Sequence, residues 1–337
     1  MRRPWVEADP KTVGGFTACG YFFGRNLNEK LNVPVGILHT NWGGTRIEAW
    51  MSESALAPFE KVNPAAKAGN PNGAAQLYNG MIAPLLNFSV KGAIWYQGES
   101  NTGNAYKYRA MQPAMIENWR KDFNNPDLAF YFVQLAPFTA VNKKPGESNW
   151  AELREAQTMT LSKLKNTGMA VITDFGNEYD IHPTPKRPVG ERLALAARAQ
   201  TYGEKIVYSG PMYKGVKFED NKAILSFDHI GGGLVSKELV PTLERPGKGG
   251  AAWRVKAGSE GASLIGFTLC GKDKIFHNAP AAIVGDKVVV TCAVVIDPIA
   301  VRYGWANHPI CNLFNREGLA ASPFRTDEFQ GITQPKK

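Results

Sequence analysis

The stretch AIWYQGESNT, residues 93–102, runs from an apolar, β-prone segment straight into a cluster of amide, carboxylate and hydroxyl groups. Gln97, Glu99, Ser100 and Asn101 crowd around Gly98, and a buried strand that delivers such groups to its carboxyl end is how α/β enzymes build sites. A second polar stretch, HTNWGGTRIEAW (39–50), contains Gly43-Gly44. Glycines just past a strand let backbone approach a ligand, and a free N–H of Gly43 or Gly44 there can stabilise an oxyanion; taken alone, the pair is simply a tight turn. A third stretch, DFGNEYDIHPTPKRPVGERLALAARA (174–199), places Asp180 two residues before His182 in a polar loop entering a helix. A carboxylate so placed can fix the tautomer of a general-base imidazole and steady its cation, whereas an isolated loop histidine is an ordinary surface residue. The last group, Trp305, Asn307 and His308, sits in an aromatic, irregular tail where packing is the default reading.

Gly98-Glu99-Ser100 invites a reading of Ser100 as a nucleophile. A nucleophile elbow needs a strained strand-turn-helix with glycines on both sides, and Asn101-Thr102 stand where the second glycine should be. Ser52 and Ser54, in WMSESALAPF, suit a helix N-cap instead.

The elements that must hold these groups alternate over the first two hundred residues. VPVGILHTN (33–41), GAIWYQG (92–98), LAFYFVQLA (128–136) and GMAVITDF (168–175) are apolar runs of strand length, too continuous to be half exposed. Helical patterns fall near 12–31, 74–87, 104–122, 149–166 and 187–204. This alternation predicts a parallel α/β sheet with right-handed crossovers. Near residue 206 the texture changes to short alternating runs broken by Gly, Asn-Lys and Asp. The expected division is therefore an α/β domain over 1–205 and an antiparallel, β-sandwich-like domain over 206–337, its irregular tail packing back on the first domain.

Composition narrows the function classes. Of 337 residues, 44% are hydrophobic and 20% charged, a globular composition, and no apolar run approaches the roughly 18 residues of a membrane span. The opening MRRPWVEADPK has arginines but no apolar core behind them, so it does not read as a signal peptide. The net charge of +9 is scattered among glycines, prolines and acids rather than gathered on one helix face, which argues against nucleic acid as a partner. Cys19, Cys270, Cys292 and Cys311 show no CxxC spacing and read as buried thiols, with one bridge in the second half left open. The five histidines form no metal-binding pair, so neither a metal nor another cofactor is expected.

Together, FTACGYFFGRNL, VPVGILHTNWGGTRIEAWM, IWYQGESN, DIHPTPKRPVGERLALAA and RYGWANHPICNLFNREGLAASPFRTD resemble the sialate O-acetylesterase family of SGNH-type carbohydrate esterases, in order along nearly the whole chain. The resemblance implies a flavodoxin-like SGNH hydrolase domain and an ester hydrolase that removes O-acetyl groups from sugars by a Ser-His-carboxylate mechanism. It implies His182 as general base, Asp180 as its partner, and Gly43, Gly44, Gln97 and Asn101 on the oxyanion and substrate side. Glu99 has a rival claim to the acid role, because related acetyl esterases carry Gln-Gly-Glu here and Asp180-x-His182 is one residue shorter than the usual Asp-x-x-His. A periplasmic or secreted location is implied as well.

The family's serine lies in a Gly-Gln-Ser-Asn motif after the first strand of the sheet, and this chain has no serine before Ser52. The expectation is a domain lacking its first strand and nucleophile, with Ser100 a neighbour of the site and the gap open to an upstream segment or an oligomeric partner. Two alternatives stand beside it: a non-catalytic, sugar-binding remnant, and a hydrolase using Ser100. Trp42, Trp50 and Trp95 are candidates for stacking on sugar faces, with core packing as the ordinary reading.

Overall fold

The computed structural model describes residues 5–59, 70–243 and 251–336. Its first half is built on β1 (Gly92–Trp95), β2 (Ala129–Val133) and β3 (Thr167–Ala170), hydrogen-bonded in that order. Both pairings are parallel, with Ile94 opposite Tyr131 and Phe132 opposite Met169. The helices are α1 (Ala18–Leu31), the single turn α2 (Glu53–Leu56), α3 (Ala105–Asp122), α4 (Asn149–Lys163) and α5 (Lys186–Gln200).

Every residue of β2 is buried, because each face of the sheet carries helices. Its side chains alternate: Phe130 and Phe132 join Trp95, Trp119 and Leu153 in one core, while Tyr131 and Val133 join Ile172, Val189 and Leu193 in another. On that second side α1 and α5 meet so closely that a Cβ at Gly190 would lie 2.7 Å from the Cys19 carbonyl oxygen. Thr17 and Ser148 cap α1 and α4, and Ser52 caps α2 by accepting the Ala55 N–H.

The expected strand over 33–41 does not form; the segment joins no ladder. Its apolar residues are spent on a helix instead, with Ile37 set against Gly20 and Gly24 of α1. A strand requires a neighbour to bond to, and β1 pairs with β2 alone among the described residues. The pattern expected near 74–87 becomes a π-helical turn and a 3-10 turn (Tyr78–Ile82 and Ala83–Leu85) rather than a regular helix.

The second half is antiparallel throughout. One sheet combines β4 (Met212–Glu219), β5 (Lys222–Asp228), β10 (Ala281–Val284) and β11 (Lys287–Thr291). A second combines β8 (Phe267–Cys270), β9 (Phe276–Asn278), β12 (Ala300–Tyr303) and β14 (Phe324–Arg325). The third consists of β6 (Leu234–Thr242), β7 (Ala252–Glu260) and β13 (Leu313–Asn315). Leu225, Val288, Phe267, Tyr303 and Phe324 form their shared core. The tail crosses α4: Arg325 pairs with Glu155, Ser322 bonds Gln134, and the Ile332 N–H donates to Glu152. All four cysteines are free thiols.

Candidate active site

The site lies at the carboxyl ends of the parallel strands. After β1 the chain turns at Gly98, whose φ of 149° and whose virtual Cβ, 2.6 Å from Leu153 Cδ2, admit only glycine. A 3-10 turn (Glu99–Asn104) follows, with the Asn101 N–H donating to the Gly98 carbonyl at 2.8 Å. Gln157, fully buried on α4, donates to the carbonyls of both Gln97 (3.2 Å) and Val133 (3.1 Å). It bridges the diverging ends of β1 and β2, the crevice where open α/β sheets bind ligands.

Gln97 and Asn101 are buried, and their amides serve the framework. Gln97 Nε2 donates to the Thr45 carbonyl at 2.9 Å and to Asn101 Oδ1 at 2.7 Å, while Tyr108 donates its hydroxyl to Gln97 Oε1 at 2.9 Å. Asn101 Oδ1 also accepts the Ile47 N–H at 2.9 Å, and Asn101 Nδ2 donates to Glu48 at 2.8 Å. This network fastens residues 45–48 to the end of β1. The turn just before them, Gly43-Gly44, is exposed, with Gly44 at φ 72° and nothing within 4 Å of either virtual Cβ. The arrangement thus holds a bare backbone turn beside the crevice.

The loop after β3 brings the histidine. Asn177 Oδ1 accepts the N–H groups of Tyr179 (2.9 Å) and Asp180 (3.1 Å), and Asp180 Oδ1 accepts the His182 N–H at 2.9 Å. These are successive Asx turns. His182 Nδ1 lies 3.5 Å from the same Asp180 oxygen, and the imidazole side chain is 81% exposed. Asp180 therefore fixes the backbone under the imidazole and stands just beyond hydrogen-bond length from its ring.

Glu99, at the start of the 3-10 turn after β1, is close enough to this loop to feel the charge of His182. Burial raises its carboxyl pKa, opposed by the backbone N–H groups of Glu99 and Gly98 and by the nearby charges of His182 and Lys186. Lys186, the first residue of α5, has its ammonium 5.1 Å from the centre of the Tyr96 ring. Burial lowers its pKa, while Cys19, Glu99 and Asp180 act in the opposite direction. Two carboxylates, an imidazole and an ammonium thus share one electrostatic neighbourhood. Among the described residues no three His, Cys, Asp or Glu side chains are grouped to hold a metal ion, and no helix is long and apolar enough to cross a membrane.

Comparison with known proteins supplies the relationship. Residues 3–199 match the family described as carbohydrate esterase, sialic acid-specific acetylesterase. The chain belongs to this family. It is 35% identical to the human sialate O-acetylesterase over 238 residues, covering 63% of this chain and 45% of that protein. The rat sialate O-acetylesterase is 32% identical over 269 residues, covering 64% of this chain and 49% of that protein. The chain spans about half the length of these curated relatives. A crystal structure of a carbohydrate acetylesterase from Xanthomonas citri superposes with a TM-score of 0.83 at 44% identity, over 96% of this chain and 68% of that one.

In this member of the acetylesterase family, the residues singled out from sequence after β1 and β3 leave the carboxyl end of the sheet. Asp180, His182 and Glu99 share an electrostatic neighbourhood, and Gln97 and Asn101 bond the segment that follows Gly43-Gly44. Ser100 follows Glu99 on the 3-10 turn and is partly exposed. Of the tryptophans, Trp50 and Trp95 are core residues in edge-to-face contact at 5.8 Å, and Trp42 alone of the three is exposed. Residues the sequence reading passed over include Gln157, Tyr108, Asn177 and Lys186. Asn177, three before Asp180, carries the Asx-turn spacing that could have revealed it; Gln157 sits in an unremarkable helix and offers no such signal.

Proposed function

We propose that this chain supplies the general base, His182, of an esterase that removes O-acetyl groups from sugars, sialic acids foremost, with the nucleophilic serine on a segment outside the 337 residues. The observation that carries this reading is the grouping of His182, Asp180 and Glu99 at the strand ends, where Gln97 and Asn101 also fasten the segment that follows Gly43-Gly44. In this reaction a serine Oγ attacks the acetyl carbonyl while His182 takes its proton. Backbone N–H groups of Gly43 and Gly44 receive the oxyanion. Collapse breaks the acyl C–O bond and expels the sugar oxygen, which takes the proton back from His182 to become a hydroxyl. Water then attacks the acetyl-enzyme, again through His182, releasing acetate and restoring the serine. Asp180 orients the imidazole through the loop it caps. Trp42 and Tyr179, exposed aromatics on the two loops that border the crevice, offer faces for the sugar ring.

The serine belongs to a Gly-Gln-Ser-Asn segment, which the 337 residues do not contain. Among the described residues β1 has a neighbour on one edge only, which supports a place for such a segment on the other. Ser100 is not the nucleophile, since its turn lacks the second glycine of an elbow. The test is acetate release from O-acetylated sialic acid, with fluorophosphonate labelling and peptide mapping. Residues 1–337 alone should retain at most the residual 10³ to 10⁴-fold over water, on the order seen in triad enzymes without their serine. Protein carrying the segment should turn over and lose activity on His182→Ala. Robust turnover by residues 1–337, with the label on Ser100, would overturn the assignment of the nucleophile.

A further inference from the structure

The His182 loop is held from two sides, and one of them is the C-terminal half of the molecule. Asn177 forms a parallel bridge to Phe138, beyond β2, and an antiparallel bridge to Ala252, the first residue of β7. The Glu178 N–H donates to the Ala251 carbonyl at 3.2 Å, and the Asn177 N–H to the Pro137 carbonyl at 3.3 Å. Side chains of β7 complete the contact. Trp253 Nε1 donates to Glu178 Oε1 at 3.2 Å, and Arg254 donates to the Gly176 carbonyl at 2.9 Å. The Phe175 ring lies between two guanidiniums, Arg192 at 4.9 Å and Arg254 at 5.7 Å from its centre.

Every residue from 175 to 178 is therefore tied to something outside its own loop, and the Asx turns that carry Tyr179, Asp180 and His182 start from Asn177. Asn177 is the residue from which the Asx turns are aimed. Asn177 itself is gripped between Pro137-Phe138 and Ala251-Ala252. These bonds link β7 to the turns that carry His182.

We propose that Trp253 and Arg254 are positioning residues for the reaction: β7 clamps residues 176–178 so that the turns beyond them present His182 to the crevice. The role rests on the reading of His182 as general base, and it assigns to the β-rich half a part in catalysis that no direct contact with substrate would supply. Because His182 is exposed and its ring is 3.5 Å from Asp180, the imidazole owes its place to the backbone beneath it. A loosened backbone should lower the fraction of molecules in attack geometry, which reduces kcat and leaves ground-state binding of the sugar almost unchanged.

The test compares hydrogen exchange and kinetics for the unsubstituted protein, Arg254→Ala, Arg254→Lys and Trp253→Phe. Trp253→Phe removes one indole N–H and keeps a ring, so it decides the matter if Arg254→Ala does not fold. Exchange is read on the 337-residue chain, and acetate release on protein that also carries the Gly-Gln-Ser-Asn segment. Peptides spanning 176–182 should exchange about tenfold faster in Arg254→Ala and Trp253→Phe, with the strands β1 to β3 unaffected. The kcat should fall by a similar factor at constant KM, and Arg254→Lys should recover part of both. Unchanged exchange at 176–182 overturns the clamp. So does faster exchange with unchanged kcat. If the unsubstituted protein releases no acetate, the esterase reading fails, while the exchange comparison still decides whether β7 holds the loop.

Discussion

Replacing Arg154 should test how the two halves of the molecule are joined. This α4 residue is fully buried, and its guanidinium reaches four carbonyls. It donates to Leu135 at 2.8 Å and Ala136 at 3.2 Å beyond β2, and to Ala306 at 2.7 Å and Asn307 at 2.9 Å in the tail. Burial pulls its pKa down to about 9, so the cation persists at neutral pH against a large desolvation cost. Charge-assisted bonds contribute about 1.5–3 kcal/mol each, roughly 6–12 kcal/mol gross for four. Several kcal/mol of that is offset by desolvation of the cation. Arg154→Met removes both terms and strands the carbonyls, for an expected net loss of about 3–5 kcal/mol. Arg154→Lys keeps a compact, strongly hydrated cation but cannot span four carbonyls in a plane, so it should be no better than Met. Urea unfolding with a constant slope measures each loss, and hydrogen exchange at Phe138, whose N–H donates to the Asn307 carbonyl, reports the joint locally. Near-native stability of Arg154→Lys, or a loss below about 1 kcal/mol for Arg154→Met, would refute the idea that the planar fork holds the tail.

Acid should weaken the fold through His308, which is buried with Nδ1 2.8 Å from the Thr139 carbonyl. Burial lowers its pKa from 6.5 to about 4, so as pH falls through this window the unfolded chain takes the proton first. Stability is then lost between pH 6.5 and about 4, by about 3 kcal/mol in all, and His308→Gln should flatten that slope in urea titrations across the window. The two candidate acids separate by kinetics in the serine-bearing protein. Asp180→Asn should cut kcat by at least tenfold, and Glu99→Gln should cost less; the opposite order transfers the acid role to Glu99. Gly98→Ala should destabilise by about 3 kcal/mol, since φ 149° and the approach to Leu153 both exclude a methyl group. A midpoint unchanged in urea would show that the turn can relax.

Much of the candidate site's placement was legible because sheet strands leave a continuous apolar run in the sequence, wholly buried in β2 and β3 and only at Trp95 in β1, and the polar residues following such a run emerge at its end. The run Gly92–Trp95 announced Gln97 and Glu99, and the run ending at Ala170 announced the loop with Asp180 and His182. The antiparallel second half was legible for a similar local reason, in short alternating segments broken by turn residues. The stretch 33–41 misled because its composition suits a strand, yet pairing depends on a neighbour that composition does not name. Trp50 and Trp95 looked as fit for a sugar face as Trp42, since burial is a property of the packed chain.

The sequence by itself determined which chemical groups leave which strand ends, because side-chain alternation, glycine turns and Asx spacing act within a few residues. What those groups then bond to was decided only in three dimensions. Gln97 is committed to Thr45, 52 residues away, and Arg154 to Asn307, 153 away. Gly176 is held by Arg254, 78 away. Such partners meet only after the chain has closed loops of that length, and no local pattern records which donor will meet which carbonyl.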